Sequence, residues 1–174
     1  MVHVQRLVIV LLGVPLTSCA GLLAGPTGDQ ALATWRAEAA EIEARLDRLQ
    51  VVDGTWSRGD GEGTFRAWFE DDELIVVHER LRFGDYGRRT GRLYYQDGAL
   101  RYYVAEGTGI ENDGEGRRQQ TQVRREIVFD PAGREIAGRQ ETGGAVGPIE
   151  ADVVVGVRLH GAELKREAER LRLQ

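Results

Sequence analysis

The chain has 174 residues, 28 acidic against 23 basic side chains, a net charge of −5 and a single cysteine. That length suits one domain with a real core, and one thiol excludes an internal disulfide framework. The acidic balance argues against nucleic acid as a partner, because neutralising phosphates needs a concentrated basic face; Arg88-Arg89 and Arg117-Arg118 read as solvated strand ends.

Arg6 is followed by the apolar run Leu7 to Val14, Pro15, and then small residues up to Cys19. A positive start, an apolar core of roughly ten residues and a small-residue cut site form a secretory signal, too short for a membrane span of about 20 residues. Leu16-Thr17-Ser18-Cys19 resembles the lipobox of bacterial lipoproteins. The resemblance implies cleavage of residues 1–18, diacylglycerol on the thiol, and Cys19 as an acylated N-terminus, a covalent lipid in place of any dissociable cofactor. Two or more acyl chains make a stable anchor where one myristoyl chain would not. In such lipoproteins an aspartate after the cysteine favours retention at the inner membrane. Here that residue is Ala20, which implies the periplasmic face of the outer membrane. The excised segment carries Arg6 and no acid, so the mature chain is more acidic still.

Residues 19–28 read as a short lipidated tether, and residues 29–174 as one α+β domain. Thr27 with Gln30 matches a capping box, with Asp29 as an alternative cap. Leu32, Trp35, Ala39, Ile42, Leu46 and Leu49 then recur at spacings of three and four, the stripe of an amphipathic helix that Asp53-Gly54 ends. The stripe is expected to bury Trp35, Ile42 and Leu46 against the domain's own sheet; its near-heptad register leaves a homodimer through residues 29–50 as the alternative.

From Thr55 the period becomes two. Thr64–Phe69 and Leu74–Phe83 read as strands, Gly84 to Gly87 as a turn, and Arg92–Gln96 with Leu100–Val104 as a hairpin about Asp97-Gly98, a type I′ signal. Residues 105–116, rich in glycine and acids, read as a long loop. Gln119–Phe129 and Arg134–Gln140 read as strands around an Asp130-Pro131-Ala132-Gly133 turn. The sum is an antiparallel β-meander or partial barrel of six or seven strands. The units 68–74, 94–100 and 128–134, each with an aromatic or apolar end, a turn bearing an acid and a renewed strand, resemble hairpins of bacterial periplasmic and lipoprotein β-meander domains. That resemblance supplies no functional residue. After Gly143-Gly144, Pro148 suits a first helical position. Ile149, Val153, Val157, His160, Leu164, Ala168 and Leu171 keep helical spacing. The alternation of Val153, Val155, Val157 and Leu159 also fits a strand, so 149–160 stays open; Ala162–Leu173 is helical under either pattern.

The inventory for chemistry is poor. Beyond the signal there is one serine (Ser57), one lysine (Lys165) and two histidines (His78 and His160). No elbow motif surrounds Ser57, and two imidazoles fall short of a structural zinc site. Asp71-Asp72-Glu73 and Asp85 supply carboxylates, but at turns, where acids bond locally. Glu111-Asn112-Asp113-Gly114-Glu115 lacks the ligand spacing of a calcium loop. No catalytic or metal-ligating residue is therefore assigned. The distinctive chemistry is aromatic and arginine-rich, Trp56, Trp68, Tyr94, Tyr95, Tyr102 and Tyr103 with Arg66, Arg92 and Arg101: alternation sends one ring of each Tyr-Tyr pair to each face, leaving Tyr94, Tyr95, Tyr102 and Tyr103 with Arg92 and Arg101 as a candidate contact surface. The sequence thus reads as a non-enzymatic, lipid-anchored module that binds an envelope protein or component. The alternatives are a carrier of an apolar ligand or lipoprotein in a half-barrel cavity, and a weak carboxylate-based hydrolase.

Overall fold

The computed structural model describes residues 27–84, 87–112 and 118–174; the signal, Cys19 and most of the tether lie outside them. Helix α1 spans Gly28–Glu43 and α2 spans Ala151–Arg172, at the two ends of a strand series. The strands are β1 (Gln50–Arg58), β2 (Gly61–Glu70), β3 (Glu73–Phe83), β4 (Arg88–Gln96), β5 (Ala99–Asn112), β6 (Arg118–Phe129), β7 (Glu135–Thr142) and β8 (Ala145–Gly147). They form one open antiparallel sheet in chain order, β1 to β8. The architecture is α+β, with eight strands instead of six or seven.

The turn chemistry is local and acts as read. Asp97 (φ 53°) and Gly98 (φ 72°) are both left-handed, as a type I′ turn requires, and Asp71 and Asp72 repeat the pattern at φ 46° and 73°. Thr27 caps α1: its hydroxyl accepts from the Gln30 amide at 3.4 Å, while the Gln30 side chain accepts from the Thr27 amide at 3.2 Å.

Three boundaries differ from the sequence reading. Helix α1 stops at Glu43, a short 3-10 turn at Leu46–Arg48 follows, and Asp53-Gly54 lies inside β1. The strand wins there because Asp53 pairs with Arg66 across β2, and Gly54 leaves the space that the Phe65 ring and Leu171 occupy. The stretch 105–112 continues β5 instead of looping out, paired with β6 from Glu106↔Arg124 to Asn112↔Arg118. Gly107 is required by close approach: a Cβ there would strike the carbonyl oxygen of Arg88. Finally, 151–172 is helical with Glu150 as N-cap, so the helix begins three residues beyond the first helical position expected at Pro148.

Strand alternation divides the core in two. On one face Ala31, Leu32, Trp35 and Ala39 of α1 cover Val76, Tyr94, Tyr102, Val128 and Ala137. On the other, Val157, Leu164 and Ala168 of α2 cover a larger set that includes Phe65, Phe69, Val77, Leu93, Tyr95, Tyr103, Ile127 and Phe129. Ile42 and Leu46 are half-buried at the margin of the α1 core, not inside it. Each face of the sheet thus carries its own apolar cluster under one helix.

Candidate binding face

Helix α1 covers only the end of its sheet face where the chain places Trp68, Val76, Tyr94, Tyr102 and Val128. One pleat further along each strand, the register aligns Asp53, Arg66, His78, Arg92, Val104 and Glu126. The next row holds Thr55, Thr64, Arg80, Thr90, Glu106 and Arg124. Asp53, Arg66, His78 and Arg92 of the first row and Thr64, Arg80, Thr90 and Glu106 of the second line an open groove of about 760 Å³, with Trp68 in its lining, while α1 reaches the first row through Glu43 and Arg36.

Ion pairs fix the groove's flanks. Arg66 grips Asp53 in a fork, Nε to Oδ1 at 2.7 Å and Nη2 to Oδ2 at 3.0 Å, a bidentate geometry that orients both side chains. On the far side Arg124 bridges Glu106 at 3.0 Å and Glu126 at 3.1 Å. Glu126 also accepts from Arg36 of α1 and from the Tyr102 hydroxyl. Burial pushes the Glu126 carboxyl up, but the hydrogen bonds and charges of Arg36 and Arg124 outweigh it and hold it below the usual range. The Tyr102 hydroxyl is pushed up to about 12, chiefly by burial and then by Glu126.

The lowered carboxyl sets a sign. Stability from this cluster is fully present above the unfolded carboxylate value of about 4.3 and is lost as pH falls through the lowered folded value. Glu126→Gln is expected to lower stability at neutral pH and to flatten the acid limb of a stability-against-pH curve. Urea melts across the acid range check it, and an unchanged acid limb would count against the cluster.

His78 stands between groove and helix: its Nε2 lies 2.7 Å from Glu43 Oε1, and its ring meets Trp68 edge-on at 4.5 Å. Glu43 also accepts from the Tyr94 hydroxyl at 2.8 Å. Burial raises the Glu43 carboxyl, and the hydrogen bonds from His78 and Tyr94 more than reverse this. The next residue, Glu79, points to the opposite face, is fully buried, and meets His160 of α2 at 2.5 Å. Consecutive β3 residues therefore tie one helix each to the sheet by a histidine–glutamate contact.

The sequence-derived contact surface divides accordingly. Tyr94, Tyr95, Tyr102 and Tyr103 are all 3% exposed or less, because both faces of their hairpin are roofed by a helix; they are core, which corrects the exposed tyrosine face. Arg101 serves that core too, its guanidinium 5.6 Å from the Trp35 ring and its Nε donating to the Phe129 carbonyl at 3.1 Å. Only Arg92 of the six lies in the open groove. His78 and His160 sit on opposite faces and do not converge, Asp71 and Asp72 form a turn, and Ser57 is exposed at the end of β1. Among the described residues no three His, Cys, Asp or Glu side chains come together around a possible metal position.

Sequence reasoning set Arg66 and Trp68 among the distinctive aromatic and arginine side chains but missed Arg80 on the same face and Glu79 as a buried acid. Alternation was the usable signal: every second residue of β2 to β4 beyond the α1 footprint is polar. No protein-family model, curated protein or solved structure matches this chain, so the groove is defined by its geometry alone. Among the described residues no helix is long and apolar enough to cross a membrane.

Proposed function

We propose that the protein is a lipid-anchored, non-catalytic envelope module, acylated at Cys19 and facing the periplasm from the outer membrane, that binds through its open polar groove. The observation that carries this reading is the division of labour across the sheet. Apolar surface on both faces is filled by α1 and α2, while a groove lined by arginines, threonines, His78 and Trp68 is left open. Fixed arginines and an amphipathic ring suit recognition of polar, charged groups.

Two measurements test it. Cys19→Ser is expected to release the protein from membranes or to leave an unprocessed precursor; unchanged partition and processing would remove the anchor. A photo-crosslinker at Thr90, in the groove, is expected to give an adduct in intact envelopes that one at Ala162, on the solvent side of α2, does not. Equal labelling from both positions would refute the groove.

A further inference from the structure

The open face carries an uneven distribution of charge. On β3 the residues facing it beyond Val76 are His78, Arg80 and Arg82; on β4 they are Arg88, Thr90 and Arg92. No acid stands among them, in a chain whose acids outnumber its bases. The register sets Arg82 directly opposite Arg88. Like charges directly opposite each other destabilise a sheet. Compensation is thin. The carboxylate nearest Arg82 is Glu62, at 4.0 Å, and Arg80 and Arg88 have no ion-pair partner among the described residues. His78 is already engaged by Glu43 at 2.7 Å, and the charge of Arg92 acts on the same carboxylate, so Arg80 and Arg88 are the members of the strip most open to an external anion.

We infer that this arginine strip docks on the phosphate-bearing headgroups of an anionic bilayer. The inference rests on the anchored-module reading, because the tether decides between a bilayer and a more distant polyanion. Thr27 begins α1 beside β7, where a Cβ on Gly28 would lie 3.7 Å from that of Ala137. The strip lies three to four strands away on the same face and four to six residues further along them, roughly 20–28 Å at normal strand spacing and rise. The residues between Cys19 and Thr27 reach at most about 28 Å when extended. An acylated Cys19 therefore keeps the open face within reach of the headgroups, where cationic side chains gain most from the negative surface potential, a gain confined to about a Debye length.

The test uses the unacylated mature chain, residues 19–174 with Cys19→Ser, which retains every residue of both cores. It is sedimented with vesicles of phosphatidylcholine alone or mixed with phosphatidylglycerol. Binding is expected only to the anionic vesicles and is expected to vanish at high salt. Arg80→Gln with Arg88→Gln is expected to weaken it about 25-fold, roughly fivefold for each arginine near the surface. Because the double variant relieves like-charge repulsion, it is expected to melt no lower than the parent, which separates lost binding from lost fold. Equal binding to both vesicle types, or full binding by the double variant, would overturn the inference. So would retention on immobilised polyglutamate without vesicle binding, which would give the strip to an acidic protein. Mass spectrometry of the native Cys19 reports the anchor separately: an acylated protein whose soluble form ignores anionic vesicles sinks the strip alone. Vesicle binding by a chain whose native Cys19 proves unacylated supports the strip and removes the anchor.

Discussion

His160→Ala is expected to destabilise the protein by about 1–3 kcal/mol, the range for leaving a buried polar group without its hydrogen-bond partner. Glu79 has a side chain with no solvent exposure, and His160 Nε2 at 2.5 Å is its closest polar contact. Its other oxygen, Oε1, has no hydrogen-bond donor, and the nearest Arg89 nitrogen is 3.7 Å away. Without the imidazole the carboxyl group would face apolar side chains and a distant guanidinium, a buried polar group without its closest partner. The Trp56 ring, edge-on to His160 at 4.9 Å, would lose its contact as well. Replacing both partners by leucine is expected to recover most of the loss, since apolar pairs of similar volume often match buried ion pairs. Urea melts of the two single variants and the double close the cycle. A loss below about 1 kcal/mol for His160→Ala would mean that Glu79 is not held by the helix.

The fold was readable where its causes are local. A capping box at Thr27 and Gln30, the Asp97-Gly98 turn and the stripe from Val153 to Leu171 depend on neighbours within a few residues, and each appears where sequence spacing puts it. What was not readable depends on partners far along the chain. Residues 105–112 have poor strand propensity, yet β6 on one side and β4 on the other supply their hydrogen bonds, and glycine at 107 is what lets the backbones approach. The tyrosines show the same limit. Alternation correctly assigns Tyr94 and Tyr102 to one face and Tyr95 and Tyr103 to the other, but it cannot say that helices from opposite ends of the chain cover both. Glu79 reads as a surface acid between His78 and Arg80; only the docking of α2 makes it a buried one. The groove was hidden for a related reason, since its edge is set by how far along each strand α1 reaches.

Trp35→Ala tests where α1 belongs, with an expected loss of about 3–5 kcal/mol, the range for a large aromatic side chain removed from a core. Trp35 is 6% exposed, stacks near Tyr102 at 6.1 Å between centroids, and carries Arg101 over its face. Its removal would open space beneath the helix and uncover Tyr102, whose hydroxyl belongs to the Glu126 cluster. The effect is therefore expected to spread to Arg36 and Arg124 and to shift the acid limb of the stability curve in the direction of Glu126→Gln. The dependence on protein concentration decides between the two roles open to the stripe. A helix that packs on its own sheet gives the same loss at every concentration, because folding is unimolecular. A helix that also joined two copies through residues 29–50 would give a midpoint that rises with concentration in the parent and not in the variant. The burial of Ala31, Leu32, Trp35 and Ala39 against Val76, Tyr94, Tyr102 and Val128 of the same chain makes the concentration-independent loss the expected result.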